Sequence, residues 1–325
     1  MIERLDRFMA RANTAYYGQC DPFADFTTAP EISQVFGEIL GLWALIVWRM
    51  MGQPAAFLLV EAGPGKGTLM ADALRAAGRA DAGFAAALAL HFVEFSPRLR
   101  AILRAKFPAA LFHDTLDSLP PGPMILLANE FLDALPIRQF VRRESGWMER
   151  FVDQGEFVEQ PSPISLPDDA PGSVRELNEA SLAVVATLTA RLVGQGGAAL
   201  FIDYGSAQSG CGDSLQALHG GNPSNPLRHA GLGDITAHVD FASLAAAARQ
   251  AHGLVHGPVR QGRFLLELGI IQRTQALARH MADWRGAADL QQASQRLIGP
   301  EAMGSLFKVM AVSHQSLTCL PGFAA

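Results

Sequence analysis

The residues best suited to hold a charged small molecule lie in Leu58-Leu59-Val60-Glu61-Ala62-Gly63-Pro64-Gly65-Lys66-Gly67-Thr68. An apolar strand runs into E-x-G-x-G-x-G and then a helical stretch. Glycines let such a turn press its backbone against a ligand, and the helix N-terminus offers free N–H donors. Spacing separates the nucleotide-site readings. The dinucleotide fingerprint G-x-G-x-x-G needs its third glycine where Thr68 stands, and a P-loop needs glycine at Val60 and a hydroxyl residue at Gly67. Simple punctuation of a turn is the alternative. Glu61, Gly63, Gly65 and Gly67 are thus candidate ligand-binding residues. Glu94 closes Phe92-Val93-Glu94, where a strand-end acid can accept hydrogen bonds from ribose hydroxyls. Asp114, after Leu111-Phe112-His113, either reaches an adenine amino group or caps the following turn.

These side chains need a frame that collects strand ends. Phe57–Val60, Ala89–Val93 and Met124–Ala128 read as buried strands, with helices at Thr68–Ala77 and Pro97–Lys106. The alternation predicts an α/β fold with a mostly parallel, doubly wound sheet. Residues 1–52 form an N-terminal helical extension or lid, whose second helix starts at Thr28, with Pro30 in the first turn and Glu31 near the dipole end. Residues 53–325 form the main domain, with insertions at about 137–195 and 206–236. Within them the pattern predicts a hairpin over Gln139–Val158, a helix over Val174–Leu192 and a long loop over 206–234. Strands at Ala198–Ile202, Gly262–Leu268 and Leu306–Ser313 and a helix at Phe241–Ala251 complete the expectation. Strand-E-x-G-x-G-x-G is the form used by Rossmann-like class I methyltransferases. Their S-adenosylmethionine has no pyrophosphate, so the turn cradles its amino-acid part.

Composition narrows the partners. A net charge of −5 and no long Lys/Arg run argue against a nucleic-acid partner. Cys20, Cys211 and Cys319 are scattered, which supports neither a metal site nor a disulfide framework. The stretch from Ile39 to Trp48 is too short for the ~20 residues of a transmembrane helix and reads as a buried one. Met1–Ala15 has no signal-peptide pattern, which gives a bacterial cytoplasmic location, or the mitochondrial matrix for a processed eukaryotic form.

The chain resembles the MidA-type methyltransferases, the family of the mitochondrial complex I assembly factor that methylates an arginine. The matching residues are Tyr16-Tyr17-Gly18, Asp21-Pro22-Phe23 and Asp25 through Glu38. They continue with the glycine turn, Ala128-Asn129-Glu130-Phe131-Leu132-Asp133-Ala134-Leu135-Pro136, Ile202-Asp203-Tyr204-Gly205, Thr236 through Phe241 and Leu306 through Val309. Ala24 and Lys66 depart from the family pattern, which often has glycine and arginine there. The resemblance implies S-adenosylmethionine as cofactor, no metal, and a protein arginine as methyl acceptor. Symmetric dimethylation and a complex I subunit as substrate belong to the same expectation; a homodimer is one option for the oligomeric state, which the sequence leaves open.

An arginine acceptor stays protonated, so its site needs carboxylates for the fork of N–H donors. Glu130, helped by Asn129 and Asp133, follows a buried strand where open α/β sheets bind ligands; capping of the next turn is the alternative. Asp203 occupies a second strand end, either as another acid of the site or solvated. His238 and Asp240 line the acceptor channel, act as a base pair, or are structural. Glu31 and Glu38, seven apart, share a helix face on this reading, and Thr28 and Pro30 join the cofactor-binding candidates. Transfer to a small molecule, or a non-catalytic assembly factor that binds the cofactor, are the competing functions.

Overall fold

A computed structural model describes residues 2–20, 27–281 and 284–323. Asp21, Pro22, Phe23, Ala24, Asp25 and Phe26 lie outside them.

The chain opens with β1 (Glu3–Arg4), α1 (Leu5–Gln19), the short α2 (Ala29–Ile32) and α3 (Gln34–Met50). The expected continuous helix is broken at Ser33, which is extended and caps α3 by accepting from Val35 N at 3.3 Å. Glu31 and Glu38 therefore sit on different helices. The core follows as β2 (Phe57–Ala62), α4 (Thr68–Ala80), α5 (Ala82–Ala87), β3 (Leu88–Val93), α6 (Pro97–Lys106), β4 (Leu111–His113) and β5 (Met124–Asn129).

An inserted antiparallel sheet is made by β6 (Arg138–Arg143), β7 (Gly146–Asp153), β8 (Glu156–Pro161) and β9 (Val174–Leu177), with β1 at its edge. The expected helix over Val174–Leu192 thus begins late. Val174–Leu177 pairs with β6, and α7 (Glu179–Gln195) starts where the Asn178 side chain accepts from Ser181 N at 2.8 Å. Then come β10 (Gly197–Ser206), β11 (Gln216–His219), β12 (Asn222–Ser224), β13 (Asp234–Thr236), β14 (Val239–Asp240) and α8 (Phe241–Gln250). The segment expected as one long loop thus carries a small three-stranded sheet, β12-β11-β13.

The chain ends with β15 (Leu254–Arg260), α9 (Gln261–Glu267), α10 (Ile270–Ala278), α11 (Trp284–Ile298), α12 (Met303–Leu306) and β16 (Phe307–Ser313). Residues 262–268 are therefore helical and not a strand. Seven residues of mixed apolar pattern fit either state, and the true strand lies just before them, hidden by Gly257-Pro258.

The main sheet runs β15-β16-β10-β5-β2-β3-β4. β10, β5, β2, β3 and β4 are mutually parallel, and β16 is antiparallel to both its neighbours. Alternate residues of each central strand feed opposite faces: Leu59, Ile125, Leu127 and Leu200 pack with α3 and α4, whereas Leu58, Val60, Leu126 and Phe201 pack with α7 and α8. Two covered faces are why these strands read as unbroken apolar runs. The α3–α4 contact is backbone-close, since a Cβ on Gly41 would lie 2.3 Å from Ala73 O.

Candidate functional site

The parallel strands deliver their carboxyl ends to one cavity of about 510 Å³, within the range of small-molecule sites. Glu61, Gly63, Gly65, Lys66, Glu94, Asp114, Asn129 and Glu130 line it, as do Thr28, Pro30 and Glu31 from the start of α2. Gly67 does not. It adopts φ +69° at the head of α4, and a Cβ there would meet Leu103 and Phe107 at 2.7 Å, so its work is to seat that helix. Gly63, at φ +66°, faces Phe131, whose ring would lie 3.1 Å from an added Cβ.

Glu61 is 3 % exposed, and its Oε2 has no hydrogen-bond partner among the described residues. Burial pushes its carboxyl up to about 8. A buried, half-unpaired acid beside a glycine turn fits a ligand carrying an ammonium group, as the amino-acid part of S-adenosylmethionine does. Glu94 is also buried, and burial raises its pKa; its Oε1 accepts from Ser96 N at 2.7 Å. Asp114 pairs with Arg100 at 2.7 Å and keeps most of its side chain in solvent. The cap position of the next 3-10 turn belongs to Thr115, so Asp114 is no helix cap. This donor set fits the cofactor: acids for the ammonium, ribose and adenine, joined by one cavity.

The other end of the cavity is acidic. Glu130 has φ +49°, which is strained for a residue with a side chain. Its Oε1 accepts from Ala29 N at 3.2 Å and from Asn129 Nδ2 at 3.1 Å, while Asn129 Oδ1 is buried and unpartnered among the described residues. Burial, then the neighbouring Asp133 carboxylate, push Glu130 up to about 7. Asp133 lies behind it, outside the cavity lining, and accepts from the Tyr204 hydroxyl at 2.6 Å. Burial pushes Asp133 up to about 6.

Further residues singled out in the sequence fall elsewhere. Asp203 does not line the cavity, nor is it solvated: it is 1 % exposed, and its Oδ2 accepts from the backbone N–H groups of Phe131, Leu132 and Asp133 at 3.2, 3.0 and 3.2 Å. Burial and the nearby Asp133 and Glu130 raise its pKa, and those N–H donors oppose them. Asp203 thus builds the turn that carries Glu130. His238 is exposed and meets the Tyr204 ring edge-on at 5.6 Å, away from the cavity. Asp240 caps α8, accepting from Ser243 N at 3.0 Å. Glu38 is buried between Arg75 and Arg273, at 2.7 and 2.6 Å.

Sequence reading assigned no role to Asn13, Tyr17, Phe95 or Phe131, all of which line the cavity. Tyr17 donates to Asp234 at 2.6 Å, and Asn13 bridges the carbonyls of Ala134 and Ile235. α1 is thereby tied across the cavity to the Asn129–Pro136 segment and to β13. The signal was available in part, because Asn13 and Tyr17 lie four apart on one helix face.

The comparisons agree with this geometry. A family model described as "Putative S-adenosyl-L-methionine-dependent methyltransferase" matches residues 39–259. A Danio rerio relative, "Protein arginine methyltransferase NDUFAF7, mitochondrial", is 33% identical over 326 residues, covering 89% of this chain and 76% of the relative. The Homo sapiens protein of the same name is 31% identical, covering 90% and 74%. A crystal structure from Burkholderia thailandensis superposes with TM-score 0.84 at 30% identity, covering 99% of this chain and 90% of that one. A second from the same organism, bound to S-adenosyl-homocysteine, gives TM-score 0.80 at 28% identity, covering 100% and 89%. Among the described residues no helix is long and apolar enough to cross a membrane, and no cluster of His, Cys, Asp or Glu is arranged to hold a metal ion. The chain belongs to the MidA-type family of S-adenosylmethionine-dependent methyltransferases, with their Rossmann-like class I fold.

Proposed function

We propose that the chain is a protein arginine N-methyltransferase that forms symmetric dimethylarginine on a respiratory complex I subunit. The observation that carries the acceptor is the buried Glu130 carboxyl on the cavity wall, with Asp133 and Asp234, outside the lining, the neighbouring charges that act most on it. An acceptor with a permanent cation suits that wall, and a neutral apolar one does not. The relatives' name supports the same reading.

When bound, S-adenosylmethionine supplies a methyl group on a sulfonium, whose thioether leaves neutral. Glu61 would hold the ammonium, Glu94 the ribose hydroxyls and Asp114 the adenine end. Asn129 Oδ1 and the Glu130 carboxylate would accept from the guanidinium fork and orient the acceptor. A Glu130 oxygen would receive the proton that the methylated nitrogen gives up. A carboxyl near 7 can take a proton at neutral pH and return it to solvent.

The test incubates the protein with isotopically labelled S-adenosylmethionine and a lysate lacking the endogenous enzyme, followed by mass spectrometry. Label on one arginine of a complex I subunit, abolished in Glu130→Gln, is the expected result. Label confined to a small molecule, or no label despite S-adenosylhomocysteine binding, overturns the acceptor.

A further inference from the structure

We propose that Tyr204 is a positioning residue for methyl transfer, acting through Asp133 on Glu130. The inference rests on Glu130 being the acid that meets the acceptor. Neither Tyr204 nor Asp133 lines the cavity.

Asp133 is placed by rigid neighbours. Its N–H donates to Asp203 Oδ2, and its carbonyl accepts from Ala237 N at 3.0 Å. Its one side-chain hydrogen bond comes from the Tyr204 hydroxyl to Oδ2 at 2.6 Å, while Oδ1 is buried without a hydrogen-bond partner among the described residues; the amides of Ala134 and of Asp133 itself favour the anion less than Tyr204 does. An O–H···O contact that short is characteristic of an ionised acceptor. Tyr204 thus favours the Asp133 anion in a place where burial alone would neutralise it. That anion stands beside Glu130, buried from solvent, and opposes a second negative charge there. The result is a Glu130 basic enough at neutral pH to take the proton released by the acceptor.

The groups around the pair leave this role to Tyr204. Asp203 on β10 spends its oxygens on backbone N–H donors. Asp234 on β13 receives the Tyr17 hydroxyl from α1. Lys308, opposite Asp203 in the sheet, sends its ammonium to the carbonyls of Ser305 and Leu306 at 2.7 and 2.9 Å. Arg138 is taken by Glu149 and Glu179. Lys66 lines the cavity from the glycine turn, and His238 meets the Tyr204 ring by its edge and not its hydroxyl.

The experiment is a titration followed by NMR on protein labelled with 13C at glutamate carboxyls, the Glu130 signal being assigned by its loss in Glu130→Gln. In Tyr204→Phe the Glu130 midpoint should fall by roughly one pH unit, because Asp133 takes up a proton first. The acid limb of kcat/KM should move with it, while S-adenosylhomocysteine affinity stays within about twofold. Asp133→Asn should give the same fall, and adding Tyr204→Phe to it should give no further one. If Tyr204→Phe does not fold, Asp133→Asn carries the test. An unmoved Glu130 midpoint in a folded variant overturns the proposal, even if arginine is methylated. A moved midpoint without arginine methylation upholds the coupling and rejects the acceptor instead.

Discussion

Cofactor binding should release a proton through Glu61. In the free protein burial holds this carboxyl at about 8, so at pH 7 roughly one molecule in ten carries the charge that an ammonium would need. Binding the amino-acid part of the cofactor selects the ionised form. Affinity should therefore fall about tenfold for each pH unit below 8, a cost of about 1.4 kcal/mol per unit. Above pH 8 Glu61 is ionised before binding, so affinity should level off there. Replacing Glu61 by Gln removes the acid limb. The lost charge-assisted contact is worth about 1.5–3 kcal/mol; at pH 7 the wild type already forgoes about 1.4 kcal/mol, so the net loss there should be about fifteenfold or less. Isothermal calorimetry with S-adenosylhomocysteine, at pH 6, 7 and 8 and in buffers of different ionisation enthalpy, reads both affinity and proton release. A flat affinity between pH 6 and 8 with no proton release would show that Glu61 does not meet the ammonium.

Asp203→Ala should destabilise the fold by on the order of 3 kcal/mol, because the N–H groups of Phe131, Leu132 and Asp133 lose their common acceptor; urea unfolding measures this, and Asp203→Asn should cost less. Gly41→Ala should cost about 1–3 kcal/mol in thermal denaturation, since its methyl would press on the Ala73 backbone and force α3 off α4; unchanged stability would mean that the helices slide freely. Glu38→Gln strips Arg75 and Arg273 of a buried partner, but both arginines are about one-third exposed. The expected cost is on the order of 2 kcal/mol in urea unfolding, with S-adenosylhomocysteine affinity unchanged because Glu38 lies outside the cavity.

What the sequence discloses follows the range of the forces involved. Phe57–Val60 and Met124–Ala128 are legible as strands because both faces of the sheet are covered, and the cofactor turn is legible because one short segment contains it. β15 is not, because Gly257-Pro258 breaks the pattern that marks strands. The acceptor end is harder still. Tyr17 reaches Asp234 across 217 residues and Tyr204 reaches Asp133 across 71, so no local spacing reports either contact. Asp203 shows the same limit. An acid at a strand end reads as reactive, and only the fold reveals that three neighbouring N–H groups have claimed it.

Around this turn, then, chemistry is divided by which donors reach each acid. Asp203 is filled by backbone N–H groups and Asp133 is half filled by a phenol, so both are committed to structure and field. Glu130 is left with one weak backbone donor and an amide on the same oxygen, at the cavity wall. Its left-handed backbone costs on the order of 1–3 kcal/mol and persists only where the surroundings over-determine it. Asp203 supplies that constraint, since its Oδ2 grips the next three amides in succession and Glu130 N is held by Ile202 O at 2.9 Å. The strained residue therefore presents its carboxylate because a buried neighbour holds the turn, and loosening that grip should cost methyl transfer before it costs cofactor binding.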